Sequence, residues 1–198
     1  DYHQVGTTGG LALLGDVSGH GVPSALVMAM CKSQVISGVS DSLALPEILN
    51  KINLVLLATM KKRFFLSILG IWIDRATGLV QLYNCGHPYP FLLRKSGEIS
   101  MVEAPGKLLG ISQKLRFNPI TVKFEPGDRL ILYTDGLVES FPAQEKKSNF
   151  DLFQDFLRGL PTLPILDSCE AVLKNHPITI SRIPQPDDFS VLILERKM

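Results

Sequence analysis

The sequence predicts an α+β layered fold, with antiparallel sheet and helices packed outside it, and three observations carry that prediction. Helical periodicity is confined to two blocks, one early and one late in the chain. Around them lie many short β-rich runs separated by turns that contain Gly or Pro. Finally, 198 residues, 45% hydrophobic and 20% charged, are enough to fill one core, so one compact domain is expected.

Taken in order, a polar, Gly-rich turn occupies 6–10, and the apolar run 11–14 stops at Gly15 and Asp16, which reads as a strand followed by a loop. From 23 to about 40, Leu26, Val27, Met30 and Val35 recur at helical spacing, with Pro23 suited to a first turn and Ser24 offering an early hydroxyl. A second helix follows Pro46 through Ile48, Leu49, Ile52, Val55 and Leu56 and ends near Met60. The period then changes: 65–74 and 79–84 are β-rich and joined by the turn-prone 74–78, which predicts a hairpin. Strands are also expected at 89–94, 115–124 and 129–134, punctuated by Ser96-Gly97, Pro105-Gly106 and Pro126-Gly127. Segments 150–160 and 165–174 read as helices, and 189–195 as a last strand. Met28, Met30 and Trp72 are assigned to the core, His3 and His176 to the surface.

The formal net charge is +1, and the short clusters Lys61-Lys62-Arg63 and Lys146-Lys147 read as solvated faces, so nucleic acid is not an expected partner. Cys31, Cys85 and Cys169 are odd in number and lack CxxC spacing, which argues against disulfides and zinc and for a reducing, cytoplasmic setting. The apolar runs 64–73 and 22–31 are about half of the roughly 20 residues a spanning helix needs, so no membrane segment is expected. With no Met before Asp1, the chain reads as part of a longer protein, in which an upstream sensor or membrane segment would lie outside this sequence.

Three acidic residues share a setting: Asp16 after 11–14, Asp135 after 130–134, and Asp187 just before 189–195. One such Asp reads as a turn former. Three together shift that reading: Asp16 and Asp135 lie in Gly-Asp-Val and Thr-Asp-Gly contexts where backbone can approach an ion and expose a carbonyl, and an oxygen-only set suits Mg²⁺ or Mn²⁺ rather than zinc.

Four motifs in order, Gly15-Asp16-Val17-Ser18-Gly19-His20-Gly21, Asn84-Cys85-Gly86-His87-Pro88, Gly127-Asp128-Arg129-Leu130 through Thr134-Asp135-Gly136, and Asp187-Asp188-Phe189-Ser190, resemble the SpoIIE/RsbU-like branch of the PPM (type 2C) protein phosphatases. The resemblance covers 1–198 as one phosphatase domain whose opening motif is incomplete. It implies a β-sandwich flanked by α-helices with two Mg²⁺ or Mn²⁺ ions at one end. By the same resemblance Asp16 bridges both ions, Val17 lends a carbonyl, Asp135 and Asp187 are further metal ligands, and Asp188 stands behind them. Asp1, fifteen residues before Asp16, falls where the family's opening motif ends in Asp and is assigned as a metal ligand or a supporting acid. The implied reaction is attack of a metal-activated water on a phosphoserine or phosphothreonine, with no protein nucleophile.

His20 has two readings, a structural residue of the Gly19-His20-Gly21 turn or the acid that protonates the leaving serine oxygen. His87, between Gly86 and Pro88, reads as a turn-stabilising residue before a ligand. The implied partner is a phosphorylated regulatory protein of the anti-sigma-factor-antagonist type. A rival function is a pseudophosphatase that binds such a partner without turnover. A nucleotide cradle at 15–21 lacks the Gly-Lys-Ser/Thr ending, and a two-metal nuclease would want basic surface around the carboxylates.

Overall fold

The computed structural model of the protein describes residues 1–141, 147–160, 163–175 and 188–197. These divide into two compact units, Asp1–His87 with Glu103–Lys123, and Pro88–Val102 with Phe124–Met198.

The first unit holds a five-stranded antiparallel sheet in the order β1 (Tyr2–Val5), β2 (Gly9–Val17), β3 (Leu66–Asp74), β4 (Leu79–Cys85), β7 (Ile120–Lys123). Two helices, α1 (Val22–Ser40) and α2 (Leu45–Met60), complete it. In α1, the buried Ser24, Val27, Cys31, Val35 and Gly38 recur every three or four residues, the spacing that lines one helical face. Gly38 is required by packing, since a Cβ there would lie 2.5 Å from Ile48 of α2. The Glu47 carboxylate accepts from the Ala44 N–H at 2.8 Å and starts α2 after its extended N-cap. Leu11 and Leu13 of β2 join Val27, Val35, Leu49, Ile52 and Leu56 in the core of this unit. The outer face of α1 exposes Val22, Leu26, Met28 and Ile36. By length and composition α1 is the one described helix that could cross a membrane, although its buried face belongs to this core.

The second unit holds a four-stranded antiparallel sheet in the order β6 (Ile99–Met101), β5 (Phe91–Leu93), β8 (Arg129–Tyr133), β9 (Val191–Glu195). Helices α3 (Asp135–Glu139), α4 (Asn149–Arg158) and α5 (Ile165–Asn175) belong to it. Its core joins Phe91, Ile131, Tyr133, Phe153, Leu157 and Val172.

The α+β class and antiparallel pairing stand as expected, with differences in detail. The strand expected at 11–14 runs on to Val17, so Asp16 lies within β2 rather than in a following loop. Short strands β1 and β6 and the single-turn helix α3 add to the expected elements. Of the strand expected at 115–124, 120–123 pairs with β4, while Leu115 and Phe117 pack against the core instead. Met28 is exposed rather than buried, and His3 is half-buried on β1 rather than at the surface. His176 and Lys146 lie outside the described residues.

Candidate metal centre

Asp16 is the second-last residue of β2, opposite Ser67 of β3, and it is exposed. Side chains alternate along a strand, so Leu11, Leu13 and Val17 face the helices while Ala12, Leu14 and Asp16 face the other way. The exit from β2 is fastened by Ser18. Its N–H donates to the Phe65 carbonyl at 3.0 Å, and its Oγ accepts from the Phe65 N–H at 3.0 Å. The Ser24 hydroxyl of α1 donates back to the Ser18 carbonyl at 3.2 Å, which fixes the distance between Asp16 and the start of the helix. His20 sits exposed on the short loop so defined.

Val17 is the last residue of β2. Leu66, opposite it, gives its own N–H and C=O to Leu109 at 3.1 and 3.0 Å. The Val17 carbonyl therefore lies on the other edge of β2, which β1 and Asp1 cover only as far as Leu13.

The segment 84–88 buttresses the residue facing Asp16. Asn84 donates from Nδ2 to the His87 carbonyl at 2.8 Å, and its Oδ1 accepts from the His87 N–H at 2.7 Å, closing the turn. The buried His87 ring meets Ser67 Oγ through Nδ1 at 3.0 Å. His87 is thus a turn anchor, and through Ser67 it supports the rung that carries Asp16.

Asp135 opens α3 directly after β8, is exposed, and accepts the Gly136 N–H on Oδ1 at 3.0 Å. Thr134 and Ser190 fasten this exit: the Thr134 N–H donates to the Ser190 carbonyl at 3.0 Å, and the Ser190 N–H to Thr134 Oγ1 at 2.8 Å. That brings the chain three residues after Asp187 against the neighbour of Asp135; Asp187 itself lies outside the described residues. Asp128 is buried and serves its turn, accepting from Arg94 at 2.7 Å and from the Glu125 and Lys95 N–H groups at 2.8 and 3.1 Å.

Asp1 is placed elsewhere. It pairs with Leu13, three residues or about 10 Å along β2 from Asp16, and shares the helix-side face. There its carboxylate meets Lys32 of α1 at 3.1 Å. The structure does not bring Asp1 to Asp16. Sequence reasoning missed Lys32 and Ser67, whose partners lie 31 and 20 residues away with no short-range signal.

By type, the Asp16 carboxylate and Val17 carbonyl in the first unit, and separately the Asp135 carboxylate in the second, are oxygen donors of the kind a hard divalent cation takes. Among the described residues, no three His, Cys, Asp or Glu side chains form a group that could hold a metal.

The SiaA-PP2C domain of Pseudomonas aeruginosa matches this fold with a TM-score of 0.83 at 20% identity, over 98% of this chain and 78% of that one. The fold is therefore of the PP2C type. The chain belongs to the SpoIIE family: the profile described as Stage II sporulation protein E (SpoIIE) matches residues 8–197. Its relatives include phosphoserine phosphatase RsbP of Bacillus subtilis (strain 168), 26% identical across 92% of this chain and 44% of RsbP. Phosphoserine phosphatase RsbU of the same organism is 25% identical, across 93% of this chain and 55% of RsbU. The chain thus spans about half the length of the curated relatives it matches.

Proposed function

We propose that residues 1–198 act as one metal-dependent protein phosphatase domain that hydrolyses phosphoserine or phosphothreonine on a regulatory partner protein. The partner is of the anti-sigma-factor-antagonist type, and an upstream sensor domain controls the reaction in the cytoplasm. The observation that carries this reading is the family match over 8–197, with two phosphoserine phosphatases among the relatives.

Two Mn²⁺ or Mg²⁺ ions, when bound, would supply a water of lowered pKa and offset charge on the phosphoryl oxygens. Asp16, the Val17 carbonyl, Asp135 and Asp187 are the residues proposed to hold them, with Asp1 a further candidate once released from Lys32. Ser18 and Ser67 keep the end of β2 in place, and Thr134 does the same for Asp135. His20, exposed on the loop after Asp16, can hold a proton for the leaving serine oxygen.

The position of Asp1 favours a second reading, a pseudophosphatase that binds the partner without turnover. Mn²⁺-dependent hydrolysis of para-nitrophenyl phosphate separates the two. Wild type should turn over, and Asp16→Asn or Asp135→Asn should lose activity by about a hundredfold or more. Activity within a few fold of wild type in either variant sinks the mechanism.

A further inference from the structure

We propose that a cationic groove at the C-terminal end of α2 docks an acidic polypeptide segment flanking the phosphorylated residue; this rests on the phosphatase reading above.

The groove has a built floor. Asn53 of α2 is fully buried; its Nδ2 donates to the Ser112 carbonyl at 2.9 Å and its Oδ1 accepts from the Gly110 N–H at 2.8 Å. The loop at 110–112 is thereby locked to the helix. Between them lies a space of about 540 Å³ lined by Leu57, Lys61, Lys62, Ile111, Ser112 and Gln113. Ile111 is 44% exposed, an apolar contact for a bound chain. Lys61 and Lys62 adopt left-handed backbone with φ of 48° and 65°, a conformation that seldom carries two non-glycine residues in succession. The resulting turn ends α2 and leaves both ammonium groups and Arg63 exposed.

Charge on the two bordering segments has one sign. Residues 54–73 carry Lys61, Lys62 and Arg63, residues 104–124 include Lys107, Lys114 and Arg116, and neither stretch contains an Asp or Glu. Among the described residues, none of these six cations forms an ion pair with a carboxylate. Such a surface attracts an acidic chain, more strongly at low salt.

Position then makes the groove part of the same site. Phe65 is bonded to Ser18, two residues beyond Asp16, and Ser67 faces Asp16 in the ladder. From Lys62 to Ser67 is five residues, at most about 17 Å of chain. A chain extended from a phosphoserine at Asp16 spans that distance in about four to six residues, enough to reach Lys61 and Lys62. The apolar outer face of α1 suggests the other occupant for such cations, an anionic bilayer, but the Asn53-locked groove suits a chain rather than a plane.

The test uses two synthetic phosphoseryl dodecapeptides, one with Asp and Glu flanks and one with Asn and Gln in their place. Their affinities are read by fluorescence anisotropy in chelator, and their kcat/KM values in Mn²⁺. The acidic peptide should bind about fivefold to tenfold tighter at low salt, with a matching kcat/KM preference, and lose most of that advantage at high salt. K61N/K62N, which keeps residues that tolerate the left-handed turn, should abolish the preference, and K61E/K62E should reverse it. Equal affinity of the two peptides, or a preference that survives both variants, overturns the docking surface. So does binding of the full chain to phosphatidylserine vesicles, lost in K61E/K62E, without any peptide preference. Wild type that fails to hydrolyse para-nitrophenyl phosphate while still preferring the acidic peptide sinks the phosphatase reading and leaves the groove standing.

Discussion

The two units solve the problem of buried polarity in different ways. In the first, the buried polar side chains among the described residues are Ser24, Asn53, Asn84 and His87, each bonded to backbone or hydroxyl groups, and the core around them is largely aliphatic. In the second, the buried set includes the ions Asp128 and Arg129. Arg129 donates to Glu195 at 2.6 Å, to the Leu160 and Leu163 carbonyls at 2.6 and 2.5 Å, and to Ser168 Oγ at 2.8 Å. Its apolar core is a series of ring contacts, Phe153 meeting Phe91, Tyr133 and Phe141 at 5.9, 4.8 and 5.6 Å. A neutral amide that loses its partner keeps a modest cost, whereas a stranded ion keeps a large one. The carboxylate proposed in the first unit thus rests on hydrogen bonds among hydroxyl, imidazole and backbone groups, and that in the second stands downstream of charge pairs.

The largest effect that would test this contrast is the loss of an ionic partner. Arg129→Ala should destabilise by about 3–5 kcal/mol, because Glu195 and two carbonyls lose their donor. Asn53→Ala should cost about 1–3 kcal/mol. Urea unfolding of both variants measures this, and equal losses would erase the distinction.

Metal linkage sharpens it next. Mn²⁺ at about a hundred times its dissociation constant should add about 2.7 kcal/mol, several degrees in melting temperature. Both Asp16→Asn and Asp135→Asn should blunt that gain, and both should melt above wild type in chelator if their carboxylates share one centre. If one variant alone blunts the gain, the ions are held by one unit. If wild type melts at one temperature with and without Mn²⁺ or Mg²⁺, no such centre exists.

A smaller cost, about 0.5–1.5 kcal/mol, is expected for Ser67→Ala, which removes the hydroxyl bonded to His87. Unchanged stability would show that His87 is held by its turn alone.

The smallest effect concerns thiols. Burial pushes Cys31 up to about 11 and Cys85 up to about 12 in the first unit, while Cys169 of the second is partly exposed. At pH 8 a thiol reagent should modify Cys169 first and the other two only on unfolding. Because both folded values lie above the ordinary thiol value of about 8.5, unfolded thiols ionise first as pH rises. Stability should therefore decline from about pH 8.5 toward 11, and less so in Cys31→Ser than in wild type. Fast labelling of all three cysteines in the native protein would contradict the burial.

What could be read from residues alone follows a physical divide. The helices α1 and α2 and the β3–β4 hairpin were legible because each carries its own period across many residues. Strand β1 was not: Tyr2, His3, Gln4 and Val5 hold no alternation of their own, and pairing with 9–12 makes them a strand. Helix α3 is one turn long, too short for periodicity to show. Asp16 and Asp135 were visible because Gly neighbours mark them. The groups that hold the chain around them, Ser67 with His87 and Thr134 with Ser190, meet only after the strands have paired.

The chain also leaves the first unit at Pro88, returns at Glu103, and leaves again at Phe124. Neither unit is a continuous stretch, so neither can be excised by cutting at one point. On the ribosome, β8 gains its partner β9 only after Glu195 has been made, and at about 5–20 residues per second the edge of β8 waits several seconds. A nascent chain stalled after about residue 150 would present that apolar edge, Leu130 to Leu132, to any neighbour with a free strand. Proteostasis, rather than catalysis, is where truncations near the C-terminus should first be felt.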